Sequence, residues 1–343
     1  MKNKLPFFVA EVSANHRGSI NIAKKLILTA KKNGADAVKI QTYTPDTMTI
    51  KSKKPYFKIT KGLWKNYYLW DLYNEAQTPF EWHKELFSYA KKIKIQIFST
   101  PFDSTAVDLL EGLNCPIYKV ASFELTDLPL IKKIALTKKP MIISTGMADI
   151  NEIEEAVKIA KKNGCLDITL LYCVSNYPSS INSFNLKNIN ILKKKFKCRV
   201  GLSDHSKDNI VAISAVAAGA EMVEKHIALQ NQKIGLDIDF SLKGKEIKKF
   251  SQDITSAKNL LGSSSFKRHK SEKDSKIFRR SIFVFKDIKK GDKFTKYNLK
   301  IVRPNIGVQP KYLEKIIGKK SPINLKKDNP LPKKVLNILK IKK

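Results

Sequence analysis

Arginine is scarce in this chain. Six of its 65 basic residues are Arg and the rest are Lys, against 31 acidic residues, for a formal net charge of +34 over 343 residues. Proteins that read bases or grip phosphate backbones draw on the planar fork of Arg. Here the surplus is lysine, spread along the chain in doublets and triplets, and no zinc finger, helix-turn-helix or aromatic RNA-binding motif accompanies it. It reads as a solvated basic surface that steers anions inward, with no specific nucleic-acid partner. No apolar run approaches the ~18 residues that a membrane-spanning helix needs, so no membrane association is expected. The first residues carry a basic tip but only a short apolar run before Glu11, which predicts no signal peptide. The four cysteines lack any CxxC spacing. Thiols so placed predict small packed side chains in a reduced, cytoplasmic protein.

What is present is a globular composition, 42% hydrophobic and 28% charged. Short apolar runs alternate with amphipathic stretches: strands are predicted at 7–13, 36–42, 95–100, 117–122, 141–145, 168–174, 199–204 and 222–227. Helices such as 151–164 and 209–220 fall between them. The strands are apolar throughout instead of alternating, as strands buried on both faces are. Eight such units in about 260 residues predict a (β/α)8 TIM barrel. An open doubly wound sheet is disfavoured because the turn after the first strand, "SANHRGS", has no GxGxxG. Residues 43–94, rich in aromatics, read as an insertion formed of a substrate-covering loop plus a helix. The expected organisation is a barrel over 1–265, a polar linker over 266–281 and a small α+β domain over 282–343.

Catalytic groups of such barrels sit at the C-terminal ends of the strands. Those ends supply Glu11, Asn15, His16, Lys39, Gln41, Ser99, Thr100, Lys119, Ser122, Glu124, Ser144, Thr145, Ser175, Tyr177, Ser203, His205, Glu224 and His226. His205 and His226 close strands seven and eight, which the fold makes neighbours. They read either as ligands of a divalent ion with open positions for substrate oxygens or as two hydrogen-bonded core histidines. Ser203, Asp204 and His205 are no hydrolytic triad, because adjacent strand residues face opposite ways. Lys39 and Lys119 interrupt apolar strands. Three roles stay open for them: an anion clamp with Thr100, Ser122, Ser144 and Ser203, a Schiff base, or lysines snorkelling at strand ends. Glu11 and Glu124 are candidate acid/base groups.

In order along the chain, "AEVSANHRGS", "DAVKIQTYTPDTMT", "YKVASFE", "STGM", "GLSDHS" and "VEKH" resemble the sialic acid synthase family. The tail "RRSIFVFKDIKKGDKFTKYNLKIVRPNIGV" is similar to its antifreeze-like (SAF) domain. Within the family, "QTYTPDTMT" and "KVASFE" look most like the pseudaminic acid branch. The resemblance implies condensation of phosphoenolpyruvate with 2,4-diacetamido-2,4,6-trideoxy-L-altrose, water adding at C2 and phosphate leaving by C–O cleavage. It implies Mn²⁺ or Mg²⁺ on His205 and His226, with Glu11 near the metal and Glu124 as acid/base. Phosphoenolpyruvate would rest on Lys39, Thr100, Lys119, Ser122, Ser144 and Ser203. The sugar would touch Gln41, Tyr177 and Asp237. Arg303 would reach the partner's site in a domain-swapped homodimer. Two departures lie on the sugar side: Ser175, where the sialic branch has Asn, and Leu236, where the family has Pro before the Asp. The alternatives are the N-acetylneuraminate and legionaminic acid branches, and a Schiff-base aldolase. From other classes come a nucleic-acid binder and a non-catalytic carbohydrate-binding role for the SAF domain.

Overall fold

A computed structural model describes residues 6–263 and 265–342, so the basic tip at 1–5 lies outside it. Eight parallel strands follow one another round a closed barrel: β1 (Phe7–Glu11), β2 (Ala37–Thr42), β3 (Gln96–Pro101), β4 (Tyr118–Val120), β5 (Met141–Ser144), β6 (Ile168–Cys173), β7 (Arg199–Asp204) and β8 (Met222–Ala228). β8 pairs with β1 from Phe7↔Met222 to Glu11↔His226, and this closes the ring. A two-residue strand, β9 (Leu242–Lys243), adds to β8. The barrel expected from continuous strand apolarity is therefore the one observed, and nearly every strand residue is buried.

The helices between strands begin where the sequence supplies a cap. Asp103 caps Ser104–Gly112, Asp127 caps Leu128–Ala135 and Asp208 caps Asn209–Ala217. Asp149 and Glu152 form a reciprocal capping box at Ile150–Lys162. Their apolar faces pack on the outside of the barrel, as Ile153, Ala156, Val157 and Ala160 do. Close pairing of β7 and β8 depends on Gly201, because a Cβ there would stand 2.3 Å from the Met222 carbonyl oxygen.

Two expectations need adjustment. The helix Phe80–Lys92 is a barrel helix packed over β3, so the insertion ends near Pro79 and not at residue 94. It holds a two-turn helix, Leu69–Ala76, and its cover is mostly loop. β7 stops at Asp204, as expected, so His205 lies just past the strand, while β8 runs on through His226. The chain divides into compact units at 1–262 and 263–343, a few residues before the expected linker. Ser281, read as the end of that linker, is the first residue of β10 (Ser281–Val284), which pairs antiparallel with β11 (Leu299–Val302). The second unit has its own apolar core, including Ile282, Val284, Phe294, Val308, Ile316, Leu331 and Val335.

Candidate active site

The polar strand ends converge on one cavity at the mouth of the barrel, with about 730 Å³ of empty space. Its wall includes Lys39, Gln41, Lys119, Ser122, Ser144, Tyr177, Ser203, His205, Glu224, His226 and Asp237. Ten of the residues expected from the sequence thus meet in one place, although they come from six strands or the loops behind them.

The floor is a chain of alternating charges. Lys39 Nζ stands 2.5 Å from Glu11 Oε2, donates to Thr100 Oγ1 at 3.0 Å and lies 3.9 Å from Glu224 Oε1. Lys119 Nζ lies 3.6 Å from the same Glu224 oxygen, which also accepts from Ser203 Oγ at 3.1 Å. All of these groups are buried. Burial alone would raise the Glu224 carboxyl, but Lys119 and Lys39 outweigh it and hold it at about 2. Burial raises Glu11 even against the pull of Lys39. Burial would lower Lys39, yet Glu11 and Glu224 keep it above the ordinary lysine value, a poor state for a Schiff-base nucleophile. Burial lowers Lys119.

Beside this floor the serines form a cradle. Ser144 Oγ is buried and without a hydrogen-bond partner, an acceptor-donor aimed at something the protein does not supply. The Gly146 amide donates to Ser122 Oγ at 3.2 Å, and a Cβ on Gly146 would stand 2.1 Å from Ser175 Oγ. The glycine of "STGM" is what lets Ser122 and Ser175 approach one another. Two ammonium groups and three serine hydroxyls, one of them unpartnered, in a buried recess suit a small anion carrying both phosphate and carboxylate.

The imidazoles stand at the other side, His205 and His226 with ring centroids 5.4 Å apart. His205 Nδ1 lies 3.2 Å from the Val174 carbonyl oxygen, so Nδ1 carries the proton and Nε2 is left with a lone pair. Burial and the neighbouring His226 lower His205 to about 3, which keeps it neutral. His226 Nδ1 is buried without a hydrogen bond, 3.5 Å from Asp237 Oδ2. A free imidazole nitrogen and an orphaned one, on neighbouring rings near a carboxylate, fit a divalent cation with open positions. Among the described residues no group of three or more His, Cys, Asp or Glu is placed to hold a metal alone. Waters or substrate oxygens would complete its coordination.

The remaining predicted residues take different places. Thr100 and Glu11 stand behind Lys39 and orient it. Glu124 is largely buried near Lys119, with Oε2 unpartnered, and burial raises its carboxyl to about 7. Gln41 Nε2 donates to Ser13 Oγ at 3.0 Å. Ser175 lies 3.7 Å from Cys173 Sγ. Arg303 is exposed on the loop after β11 in the second unit. His16, a strand-end candidate, serves structure: its Nδ1 accepts from the Gly18 amide and its Nε2 meets Thr78 Oγ1 at 3.3 Å. The alternation that excluded a triad holds, with Ser203 bonded to Glu224 and Asp204 turned away to Lys225.

Sequence reasoning gave no role to two contributors. Glu224 sits between both lysines. Its signal was the i, i+2 spacing to His226 on one strand, which puts both side chains on one face. Trp64, from the insertion, lines the cavity, donates to the Leu236 carbonyl at 3.0 Å and packs at a tilt against Tyr177, ring centroids 5.4 Å apart.

The comparisons with known proteins match this geometry. The NeuB family profile matches residues 26–266, and the SAF domain profile matches 279–336. The pseudaminic acid synthase of Helicobacter pylori is 44% identical over 95% of this chain and 96% of its own. The chain belongs to the NeuB family. The N,N'-diacetyllegionaminic acid synthase of Campylobacter jejuni is 40% identical over 95% of this chain and 98% of its own. A solved N-acetylneuraminic acid synthetase from Leptospira borgpetersenii, in complex with citrate, superposes with a TM-score of 0.71. It is 31% identical and spans 80% of this chain and 90% of that one. The resemblance read from the sequence motifs is thereby borne out.

Proposed function

We propose that this enzyme is a pseudaminic acid synthase, condensing phosphoenolpyruvate with 2,4-diacetamido-2,4,6-trideoxy-L-altrose to give pseudaminic acid and phosphate. The observation that carries the reading is the convergence of Lys39, Lys119 and the hydroxyls of Ser122, Ser144 and Ser203 beside two imidazoles in one barrel mouth. The higher identity to the pseudaminic synthase than to the legionaminic one supports the choice of sugar.

In this reading Lys39, Lys119, Ser122, Ser144 and Ser203 hold the phosphate and carboxylate of phosphoenolpyruvate. Glu11 and Thr100 keep Lys39 charged and aimed. Gln41, Ser175, Tyr177 and Asp237 face the open-chain sugar. His205 and His226 would hold Mn²⁺ or Mg²⁺, which when bound polarises a carbonyl oxygen. C3 of the enol phosphate bonds to the aldehyde carbon, whose oxygen needs a proton. Water then adds at C2 and must lose one, and the C2–O bond to phosphate breaks. One carboxyl serves both transfers: Glu124, at about 7, gives its proton to the aldehyde oxygen and recovers one from the water. Atoms balance, because the oxygen of the water stays on C2.

Arg303 completes the reading as a residue supplied to the partner's site in a domain-swapped homodimer. The four free thiols accord with a cytoplasmic setting. No helix among the described residues is long and apolar enough to cross a membrane. The test is phosphate release from phosphoenolpyruvate with each of three hexoses. The altrose derivative should turn over fastest; efficient turnover only with N-acetylmannosamine or the legionaminic acid precursor would reassign the sugar.

A further inference from the structure

Behind the two imidazoles lies a charged pair that the reaction itself does not use. Asp204 and Lys225 are opposite one another in the β7–β8 register, each the residue just before a histidine of the site. Alternation turns both away from the barrel interior, toward the helix layer. They are 0% and 1% exposed. Lys225 Nζ donates to Asp204 Oδ2 at 2.9 Å and also to the Ser206 carbonyl. The other Asp204 oxygen accepts from the Ser206 amide at 2.8 Å, and Ser206 Oγ donates to the Asp208 carbonyl. His205 is thus enclosed: the residues before and after it are tied to one ammonium group, and that ammonium stands on the strand next to His226.

We infer that Lys225 and Asp204 are positioning residues that staple β7 to β8 and set the separation and aim of His205 and His226 toward a divalent cation. A buried ion pair is seldom a net gain in stability over apolar residues of the same volume. At this pair it fixes the turn 204–206 just past the end of β7, from the side opposite to the bonds that His205 itself makes to Ser179 N and Val174 O. Second-layer partners of this kind typically change metal affinity 10- to 100-fold. The inference rests on the proposed metal role of the two histidines, and the experiment separates the two ideas.

Mn²⁺ binding is titrated by electron paramagnetic resonance on the full chain, at a temperature where every variant is folded. Lys225→Met leaves Asp204 buried without its partner and is expected to lower Tm. The paired variant D204N/K225M removes that unpaired charge and should recover most of the Tm. If the pair positions the imidazoles, the paired variant still binds Mn²⁺ about 10- to 100-fold more weakly. Its phosphoenolpyruvate affinity without metal should stay within about threefold of the parent, and its turnover should return at saturating Mn²⁺. Mn²⁺ affinity in D204N/K225M within about twofold of the parent would overturn the inference alone. Absence of Mn²⁺ binding in the parent would overturn the metal reading and the inference together.

Discussion

Glu124 carries the clearest consequence of burial on a single side chain. Its carboxyl rises from 4.5 to about 7 because water is excluded, and Lys119 offsets only part of that. The protonated form is needed first, for the aldehyde oxygen, so kcat/KM for the sugar should fall as pH rises above about 7. Glu124→Gln should flatten that limb and lower kcat by about 10²- to 10⁴-fold. A raised carboxyl also bears on stability. The folded state holds the proton more tightly than the unfolded chain, so stability is full below 4.5 and is lost as pH rises through about 7. Above pH 7 the loss amounts to about 3 kcal/mol, and Glu124→Gln should be the more stable protein there and no different at pH 4. Urea denaturation at the two pH values measures this. A variant that is less stable at pH 8 would mean that the buried carboxyl is paired in a way the structure does not show.

At the scale of elements, the strands were legible because their signal is physical and local. Continuous apolarity over five or six residues between capped helices has few other solutions than a strand buried on both faces. Strand ends then gave most of the site, since each polar residue follows such a run: Lys39 in "AVKIQT" and Lys119 in "IYKVAS" could be placed without coordinates. What resisted reading was anything set by a distant partner. Trp64 lies in a loop with no periodicity, and its carbonyl partner belongs to Leu236, far along the chain. Glu224 was visible as a strand residue, but its importance arises from two lysines on other strands. The insertion boundary was misplaced because an amphipathic barrel helix and an aromatic loop have similar composition over residues 80–92. The apolar and aromatic wall of Trp64, Leu72, Tyr73 and Leu236 gives the insertion its own test. Trp64→Ala should raise KM for the sugar about 10-fold or more while leaving KM for phosphoenolpyruvate within about twofold, as fits loss of one aromatic face in an apolar wall. Equal effects on both substrates would assign Trp64 to closure of the whole mouth.

The whole molecule consists of two units with separate cores, one bearing the lysine and histidine cluster and one bearing Arg303. The core of the first unit is large enough to fold without the second. A chain ending at residue 262 should therefore remain cooperatively folded by calorimetry and lose turnover. If Arg303 acts across a dimer, mixing Arg303→Ala with a Glu124→Gln protein should restore part of the activity in heterodimers carrying one intact site. No recovery on mixing would confine Arg303 to its own chain or to no role. The account as a whole rests on a reaction that breaks the carbon–oxygen bond of phosphoenolpyruvate in a mouth built for an anion and an aldehyde. The most direct measurement supplies phosphoenolpyruvate labelled with oxygen-18 at the bridging position, together with the altrose derivative, and weighs both products. The account predicts labelled phosphate and an unlabelled nine-carbon acid. Label retained in the acid, or no consumption of phosphoenolpyruvate, would contradict it.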